Sequence, residues 1–173
     1  RATGSPTATT VDRLLSGLPN RDELLLLHND VVSLAEALAE AAEVRCLDFR
    51  LERIDDDMCR RFHVDHYPCR LLCTYAGPAT QWLENADVIR DRLGAQGRNF
   101  PNPDTNMIRL GGRIRRLRAF DVAILKGDLW KDDASLGAVH RSPPTKKRNA
   151  KRLLLKIDVV RRPSRRNPSR PRP

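Results

Sequence analysis

Residues 60–83 read RRFHVDHYPCRLLCTYAGPATQWL and decide how the chain is interpreted. Residues 69–76, CRLLCTYA, have the apolar and aromatic character of a β-strand, and the turn sequence GPAT follows them. Just before this strand, His63, Asp65 and His66 lie close together. A strand that only packs against a core has little need for so many potential metal ligands. The stretch therefore predicts a β-strand that begins beside a functional site.

The rest of the chain predicts an α+β fold. Further strands are predicted at 44–54, 119–126 and 151–160, from apolar and β-branched residues between turn signals. A helix is predicted from Asn20 to Ala42, with a break near Asn29–Asp30, because its apolar residues recur every three or four positions. A short helix is predicted at 85–93, NADVIRDRL. Helices followed by short strands with irregular connections indicate a β-sandwich or barrel core packed against N-terminal helices. The apolar helix positions are Leu24, Leu27, Val31, Leu34, Leu38 and Ala41.

Length and charge predict one domain with two extensions. The chain has 173 residues and a net charge of +10, and we expect a single domain at 11–160. Residues 1–10 are small and polar, so disorder is predicted there. The segment 161–173, RRPSRRNPSRPRP, predicts a basic disordered tail. Residues 141–173 hold 13 Lys and Arg residues and one acid, so the remaining body carries a net charge of about −2.

Several classes of protein are disfavoured. No apolar stretch approaches the roughly 18 residues that a transmembrane helix needs, and the first residues lack the apolar segment of a signal peptide. A cytoplasmic location without membrane attachment is the default expectation. The four cysteines then predict free thiols or metal ligands rather than a disulfide framework. The sequence contains neither a phosphate-binding P-loop nor the nucleophile elbow of serine hydrolases.

His63 and Asp65 are the first candidate metal ligands. In an extended strand, residues two apart share one face and lie about 7 Å apart along the chain. His140 is the candidate third ligand. Two histidines and one carboxylate on one face of an octahedron leave three positions open, as in non-haem Fe(II) oxygenases, although the same set accepts Mn, Co, Ni and Zn.

HVD at 63–65, the distal His140 and the basic residue Arg152 resemble the HxD…H…R signature of the Fe(II)/2-oxoglutarate dioxygenases. The turn LKGD at 125–128 resembles the Gly-containing turn that precedes the distal histidine in that superfamily. The resemblance implies a double-stranded β-helix (jelly-roll or cupin-like) core, Fe(II) as the metal and 2-oxoglutarate as co-substrate. It also implies that Arg152 holds the far carboxylate of 2-oxoglutarate, for which a planar guanidinium is suited. Arg70 and Tyr75 are candidates for the wall of the same pocket.

The chain is also similar to a bacterial family catalogued as domain of unknown function 1826. The similarity covers most of residues 44–158 and is specific in three blocks. Its implied context is zinc homeostasis, without an implied reaction. Ala79 stands where that family usually has glycine, and the tail is not covered. The three blocks are CRRFHVDHYPCRLLCTYAGPATQWL at 59–83, FDVAILKGDLW at 120–130, and GAVHRSPP with RLLLKID within 137–158.

Three alternatives accompany the dioxygenase hypothesis. A zinc-handling protein without catalysis would use the same three ligands. A basic module would bind nucleic acid through 161–173, by nonspecific attraction to phosphates. A local zinc knuckle is disfavoured because its ligand pairs would be separated by only two residues, and Cys69 and Cys73 are better explained as small core residues. The knuckle would use His63, His66, Cys69 and Cys73.

Overall fold

The computed structural model describes residues 1–18, 24–56, 59–94, 105–130, 136–145 and 150–160. These residues form two α-helices and two antiparallel sheets, which confirms the α+β class. Short 3₁₀ turns at Asn85–Asp87 and Arg90–Arg92 lie between the strands. The elements in chain order are β1 (Ala2–Gly4), α1 (Ala8–Leu15), α2 (Leu25–Ala41), β2 (Leu47–Ile54), β3 (Cys69–Ala76), β4 (Gln81–Trp82), β5 (Arg115–Arg116), β6 (Val122–Lys126), β7 (His140–Arg141) and β8 (Arg152–Val159).

The larger sheet has five strands in the order β1-β2-β8-β3-β6. Its central strand β8 pairs with β2 from Ile54↔Arg152 to Leu47↔Val159, and with β3 on its other side. A central strand needs all its backbone groups paired and both faces covered. This position explains the nearly continuous apolar run RLLLKIDV at 152–159.

Successive side chains of β8 point to opposite faces of the sheet, so the two faces make different contacts. Leu155 and Ile157 are fully buried and pack with Val31 and Leu38 of α2 in the main core. Arg152, Leu154, Lys156 and Asp158 lie on the opposite face. The helices therefore cover one face of the large sheet, while the other face carries both charged residues and a small apolar cluster of Ile54, Leu72 and Leu154.

The smaller sheet has three strands in the order β5-β4-β7. It lies against the helix-free face of the large sheet, since Arg152 of β8 donates hydrogen bonds to Thr80 and Ser142, which flank β4 and β7. An isolated bridge pairs His63 with His140 and adds one more residue pair to β7. On the outer side of this sheet a second apolar cluster buries Phe62, Leu83, Val88, Met107 and Val139.

The N-terminal residues differ from the prediction of disorder at 1–10. The structure pairs β1 with β2 and begins α1 at Ala8. Ala2 is buried in the main core, and Thr3 donates a hydrogen bond to the buried carboxylate of Asp48. Small polar residues are therefore ordered here because they occupy the edge of the large sheet, a contact that local composition does not show.

Two predicted helical segments are also corrected. Helix α2 continues through the predicted break at Asn29–Asp30, because its buried face, including Val31 and Leu38, holds both sides of that point against the sheet. The predicted start at Asn20 lies outside the described residues. A short helix predicted at 85–93 is instead two 3₁₀ turns, since Val88 between them is extended and pairs with Ile108.

The predicted basic tail, 161–173, lies outside the described residues. Among the residues that are described, no helix combines the length and the apolar character needed to cross a membrane.

Candidate metal centre

His63 and His140 are held opposite each other by their own backbones. The N–H of each residue donates to the carbonyl oxygen of the other at 3.0 Å. Residues opposed in an antiparallel pair project their side chains to the same side. The two imidazole rings consequently lie side by side, with their centroids 4.6 Å apart.

Asp65 is positioned by a close approach of two loops. The backbone N–H of Asp128 donates to the carbonyl oxygen of Asp65 at 3.1 Å, and that of Gly127 donates to Pro68 at 3.0 Å. A Cβ atom at residue 127 would lie only 1.8 Å from the carbonyl oxygen of Tyr67. Glycine is therefore required at 127 for the loop after β6 to support the HVD segment.

The three predicted ligands converge. Nε2 of His63 lies 3.4 Å from Oδ1 of Asp65, and Nε2 of His140 lies 3.3 Å from Oδ2. One donor atom from each residue falls within 4.8 Å of the others. Nδ1 of His63 bonds the carbonyl oxygen of Arg61 at 2.9 Å, and Nδ1 of His140 bonds that of Ala138 at 3.1 Å. Because a carbonyl only accepts, each Nδ1 donates its proton to that carbonyl, and Nε2 of each ring is turned towards Asp65.

Arg70 sets the charge at the cluster. Its NH1 donates to Oδ2 of Asp65 at 2.8 Å, and its NH2 donates to Oδ2 of the fully buried Asp158 at 2.9 Å. Burial alone would raise the pKa of Asp65, but hydrogen bonds with His140 and His63 and the charge of Arg70 hold it far below its usual range. Asp65 is therefore an ionised ligand at neutral pH.

The pKa of His63 is shifted upwards, in the opposite direction to that of Asp65. Burial lowers its pKa, but the contact with Asp65 and the bond to the Arg61 carbonyl outweigh burial, so the pKa is raised. The protein environment thus attracts positive charge to this position. A divalent cation between His63, Asp65 and His140 would supply that charge.

Arg152 lies in a pocket of hydroxyl groups. It is only 1% exposed, and NH2 donates to Thr74 Oγ1 at 3.3 Å and to Thr80 Oγ1 at 3.2 Å. NH1 donates to Ser142 Oγ at 3.3 Å, while Nε has no hydrogen-bond partner. Burial lowers its pKa to about 10. The side chain is still a cation at pH 7, and within the described residues no carboxylate bonds to it.

The other two predicted pocket residues have different positions. Arg70 reaches the cluster, but it is engaged by Asp65 and Asp158. Tyr75 lies on the helix-facing side of β3, where it packs against the main core and donates its hydroxyl hydrogen bond to Asp30 of α2. This corrects the prediction that Tyr75 lines the same pocket, because alternation along β3 places Tyr75 on the face of Cys73, opposite that of Arg70 and Thr74.

The local zinc knuckle is not assembled. Cys69 and Cys73 are buried in the helix-facing core, as their interpretation as packing residues predicted. His66 is exposed and its Nδ1 lies 3.0 Å from Oδ1 of Asp128. These side chains point away from His63, so they cannot share an ion with it.

Comparison with known families adds one finding. A family model described as Protein of unknown function (DUF1826) matches residues 2–158. The chain belongs to this family. No curated protein and no solved structure is similar to the chain. The DUF1826 match includes all three candidate ligands and Arg152, whereas the basic segment 161–173 lies beyond it.

Sequence reasoning missed the residues that support the ligands. Asp158 and the hydroxyls around Arg152 come from strands read only as packing elements. One signal was available: Arg152, Lys156 and Asp158 share one face of an otherwise apolar strand. Charged residues at alternate positions of a central strand indicate that one of its faces meets a polar interior.

Proposed function

We propose that the protein binds a divalent metal ion through His63, Asp65 and His140 and acts as an Fe(II)/2-oxoglutarate-dependent oxygenase. The observation that carries this proposal is the presence of the candidate ligand cluster together with Arg152, a buried guanidinium to which no carboxylate among the described residues bonds. A metal-binding cluster alone is compatible with many roles. A cluster next to a buried cation calls for an anionic ligand that spans both.

The donor set fits a metal. Nδ1 of each imidazole bonds a backbone carbonyl, so both Nε2 atoms are directed to the ionised carboxylate of Asp65, and one donor atom from each residue lies within 4.8 Å of the others. Two nitrogen donors and one oxygen donor are typical of the facial arrangement with open positions, rather than of a closed structural zinc site. Bound Fe(II) and 2-oxoglutarate would supply dioxygen activation coupled to oxidative decarboxylation.

Arg152 suits the far carboxylate of a 2-oxo diacid. Ser142, which accepts from Arg152, follows His140 by two residues, about 7 Å along an extended chain. A five-carbon diacid can extend over such a span. Thr74 and Thr80 would add hydroxyl donors to the carboxylate once their hydrogens rotate towards it.

Arg70 keeps the carboxylate ligand in place. Its bonds to Asp65 and Asp158 fix one oxygen of Asp65 and lower the negative charge offered to the ion. Ligands oriented by fixed neighbours lose little freedom when a metal binds. We expect Arg70 to favour metal coordination through one oxygen of Asp65, with an open position left for co-substrate.

The fold is compatible with a double-stranded β-helix. Two antiparallel sheets face each other, and the cluster and Arg152 lie between them. The finer assignment of a jelly-roll or cupin-like core belongs to this proposal. It rests on the placement of His63–Asp65 before β3, His140 on β7 and Arg152 on the following strand β8.

A zinc-handling protein on the same scaffold is the second candidate. It is favoured by the bond from Arg70 to Asp65, because partial neutralisation of a ligand is suited to a site that releases its metal. Such a protein would have no need for the unneutralised Arg152. The two candidates therefore differ in whether Arg152 affects binding at the centre.

Anaerobic titration of the full chain with Fe(II) and 2-oxoglutarate tests the proposal. We expect a weak visible charge-transfer band from the chelate, lost in His63→Ala and in Arg152→Met. His66→Ala is the matched control, since His66 is exposed and lies beside the same segment. A band that persists in Arg152→Met would contradict the role of Arg152. No band, together with zinc binding that depends on His63 and His140, would replace the oxygenase proposal by the zinc-handling one.

A further inference from the structure

A run of arginines crosses the surface next to the small sheet. Residues 109–118, RLGGRIRRLR, contain five arginines and no acid, in a body whose net charge outside 141–173 is about −2. Basic residues concentrated in one stretch of a nearly neutral body indicate a binding surface for an anionic partner. The run is separate from the basic tail at 161–173.

Arg113, Arg116 and Arg118 form no ion pair within the described residues. Arg115 is engaged, since its NH2 lies 2.7 Å from Oε1 of Glu84 and its guanidinium lies 5.6 Å from the ring centroid of Trp82. In the part of the chain that the structure describes, no carboxylate pairs with the side chains of Arg113, Arg116 or Arg118, and all three are exposed. We call these three residues the arginine strip.

Two members of the strip line a cavity. The cavity has a volume of about 260 Å³, and Arg116 and Arg118 lie at its wall together with Gln81, Pro143 and Pro144. None of its lining residues is acidic. Gln81 is held in place by a 2.7 Å hydrogen bond from Arg141. A cavity with two guanidinium groups at its wall, neither paired with a carboxylate in the described part of the chain, has the size and charge to receive a phosphate group.

An exposed aromatic residue follows the strip. Phe120 is 69% exposed and has a backbone φ of 67°. It occupies the third position of the turn 118–121, which is closed by a 2.7 Å bond from the Arg118 N–H to Oδ2 of Asp121. Glycine is favoured at such a position, so the turn holds a large side chain in a strained conformation. The ring meets Tyr75 edge-on at 6.0 Å and leaves most of its surface in solvent.

We propose that the arginine strip and Phe120 form a binding surface for single-stranded nucleic acid. The strip would contact the phosphates, with one of them in the cavity between Arg116 and Arg118, and Phe120 would stack on a base. Unpaired guanidinium groups beside an exposed aromatic ring are typical of single-strand binding surfaces. An acidic peptide would pair with the arginines, but it would have no base to stack on Phe120. The surface operates independently of the metal centre.

Fluorescence anisotropy of the full chain with labelled 12-nucleotide oligouridylate and oligothymidylate tests the proposal. Arg116→Gln/Arg118→Gln should weaken binding and make the slope of log K against log salt less steep by roughly 1.4, for two phosphate contacts on a single strand. Phe120→Gly should weaken binding by about fivefold or more. Glycine relieves the positive φ, so Phe120→Gly should fold at least as stably as the natural chain.

Arg53→Gln is the matched control, because Arg53 is an exposed arginine on β2 of the other sheet. The tail is retained in every variant, so its contribution cancels. Equal losses in Arg53→Gln and the double variant would overturn the proposal. A duplex bound as tightly as the single strand, or polyglutamate competing as well as the oligonucleotide, would also overturn it, in favour of a surface that recognises charge alone.

Discussion

His63 and His140, which are 77 positions apart in the sequence, exchange both of their backbone hydrogen bonds at 3.0 Å. This pair fixes the Cα separation and the common direction of two of the three candidate ligands. Asp65 follows two residues later and approaches both rings at 3.3–3.4 Å. The relative placement of His63 and His140 is therefore set by strand pairing.

Metal binding should stabilise the fold through these ligands alone. At a zinc concentration 100 times the Kd, the free energy of unfolding should rise by about 2.7 kcal/mol. His63→Ala and His140→Ala should lose this increase, whereas His66→Ala should retain it. Chemical denaturation with and without zinc measures the difference. An increase lost equally in His66→Ala would mean that the ion binds elsewhere.

The convergence of His63, Asp65 and His140 could be expected from the sequence because two of the three residues lie in one short segment. His63 and Asp65 have strand spacing in a segment where polar residues are unexpected, and His140 lies on a later strand. The strands at 69–76 and 151–160 were predicted within a residue of β3 and β8, since apolar runs between turn signals are strong indicators. What the sequence did not show depends on contacts between distant segments.

The order of residues 1–10 is one such case, because it depends on Asp48 and on pairing with β2. The position of Tyr75 is another. Alternation of side chains along β3 places Tyr75 on the same face as Cys73. The hydrogen bond from Tyr75 to Asp30 of α2 shows that this face packs against the helices, which the sequence does not reveal. Period-two reasoning separates the two faces of a strand but does not tell which face meets the site.

Arg152 should prove unnecessary for stability. A buried cation with three neutral hydrogen bonds carries a desolvation cost that those bonds scarcely offset. Arg152→Met should therefore change the free energy of unfolding by no more than about 1 kcal/mol, while abolishing 2-oxoglutarate binding. Urea denaturation and ligand titration measure the two effects. A loss of about 3 kcal/mol or more would identify Arg152 as a structural residue instead.

Gly127 should be essential to the metal centre. An alanine Cβ would lie 1.8 Å from the Tyr67 carbonyl oxygen and 2.8 Å from that of Asp65, so the two loops would have to separate. Gly127→Ala should destabilise the protein by about 2–4 kcal/mol and weaken metal binding together with it. Gly17→Ala is the matched control, as nothing lies within 4 Å of its added Cβ. Zinc binding that survives in Gly127→Ala would show that Asp65 is positioned without this loop.

Asp48 should make folding sensitive to acid at a point remote from the centre. Burial raises the pKa of its carboxyl, but hydrogen bonds from Arg1, Thr3 and Arg50 outweigh burial, so the pKa is lowered. A carboxyl with a lower pKa in the folded state stabilises the fold above its unfolded pKa of about 3.9, and this contribution is lost as the pH falls through the folded value.

Asp48→Asn should therefore lower the free energy of unfolding at pH 7 by about 1–3 kcal/mol. The difference from the natural chain should shrink as the pH falls below the unfolded pKa of about 3.9, and it should vanish once the folded carboxyl is protonated. Urea denaturation at a series of pH values measures it, with Glu36→Gln on the exposed side of α2 as a control that stays within about 0.5 kcal/mol throughout. A loss that does not vary with pH would show that the Asn side chain disturbs packing between β1 and β2, and that the charge of Asp48 is not what stabilises this edge.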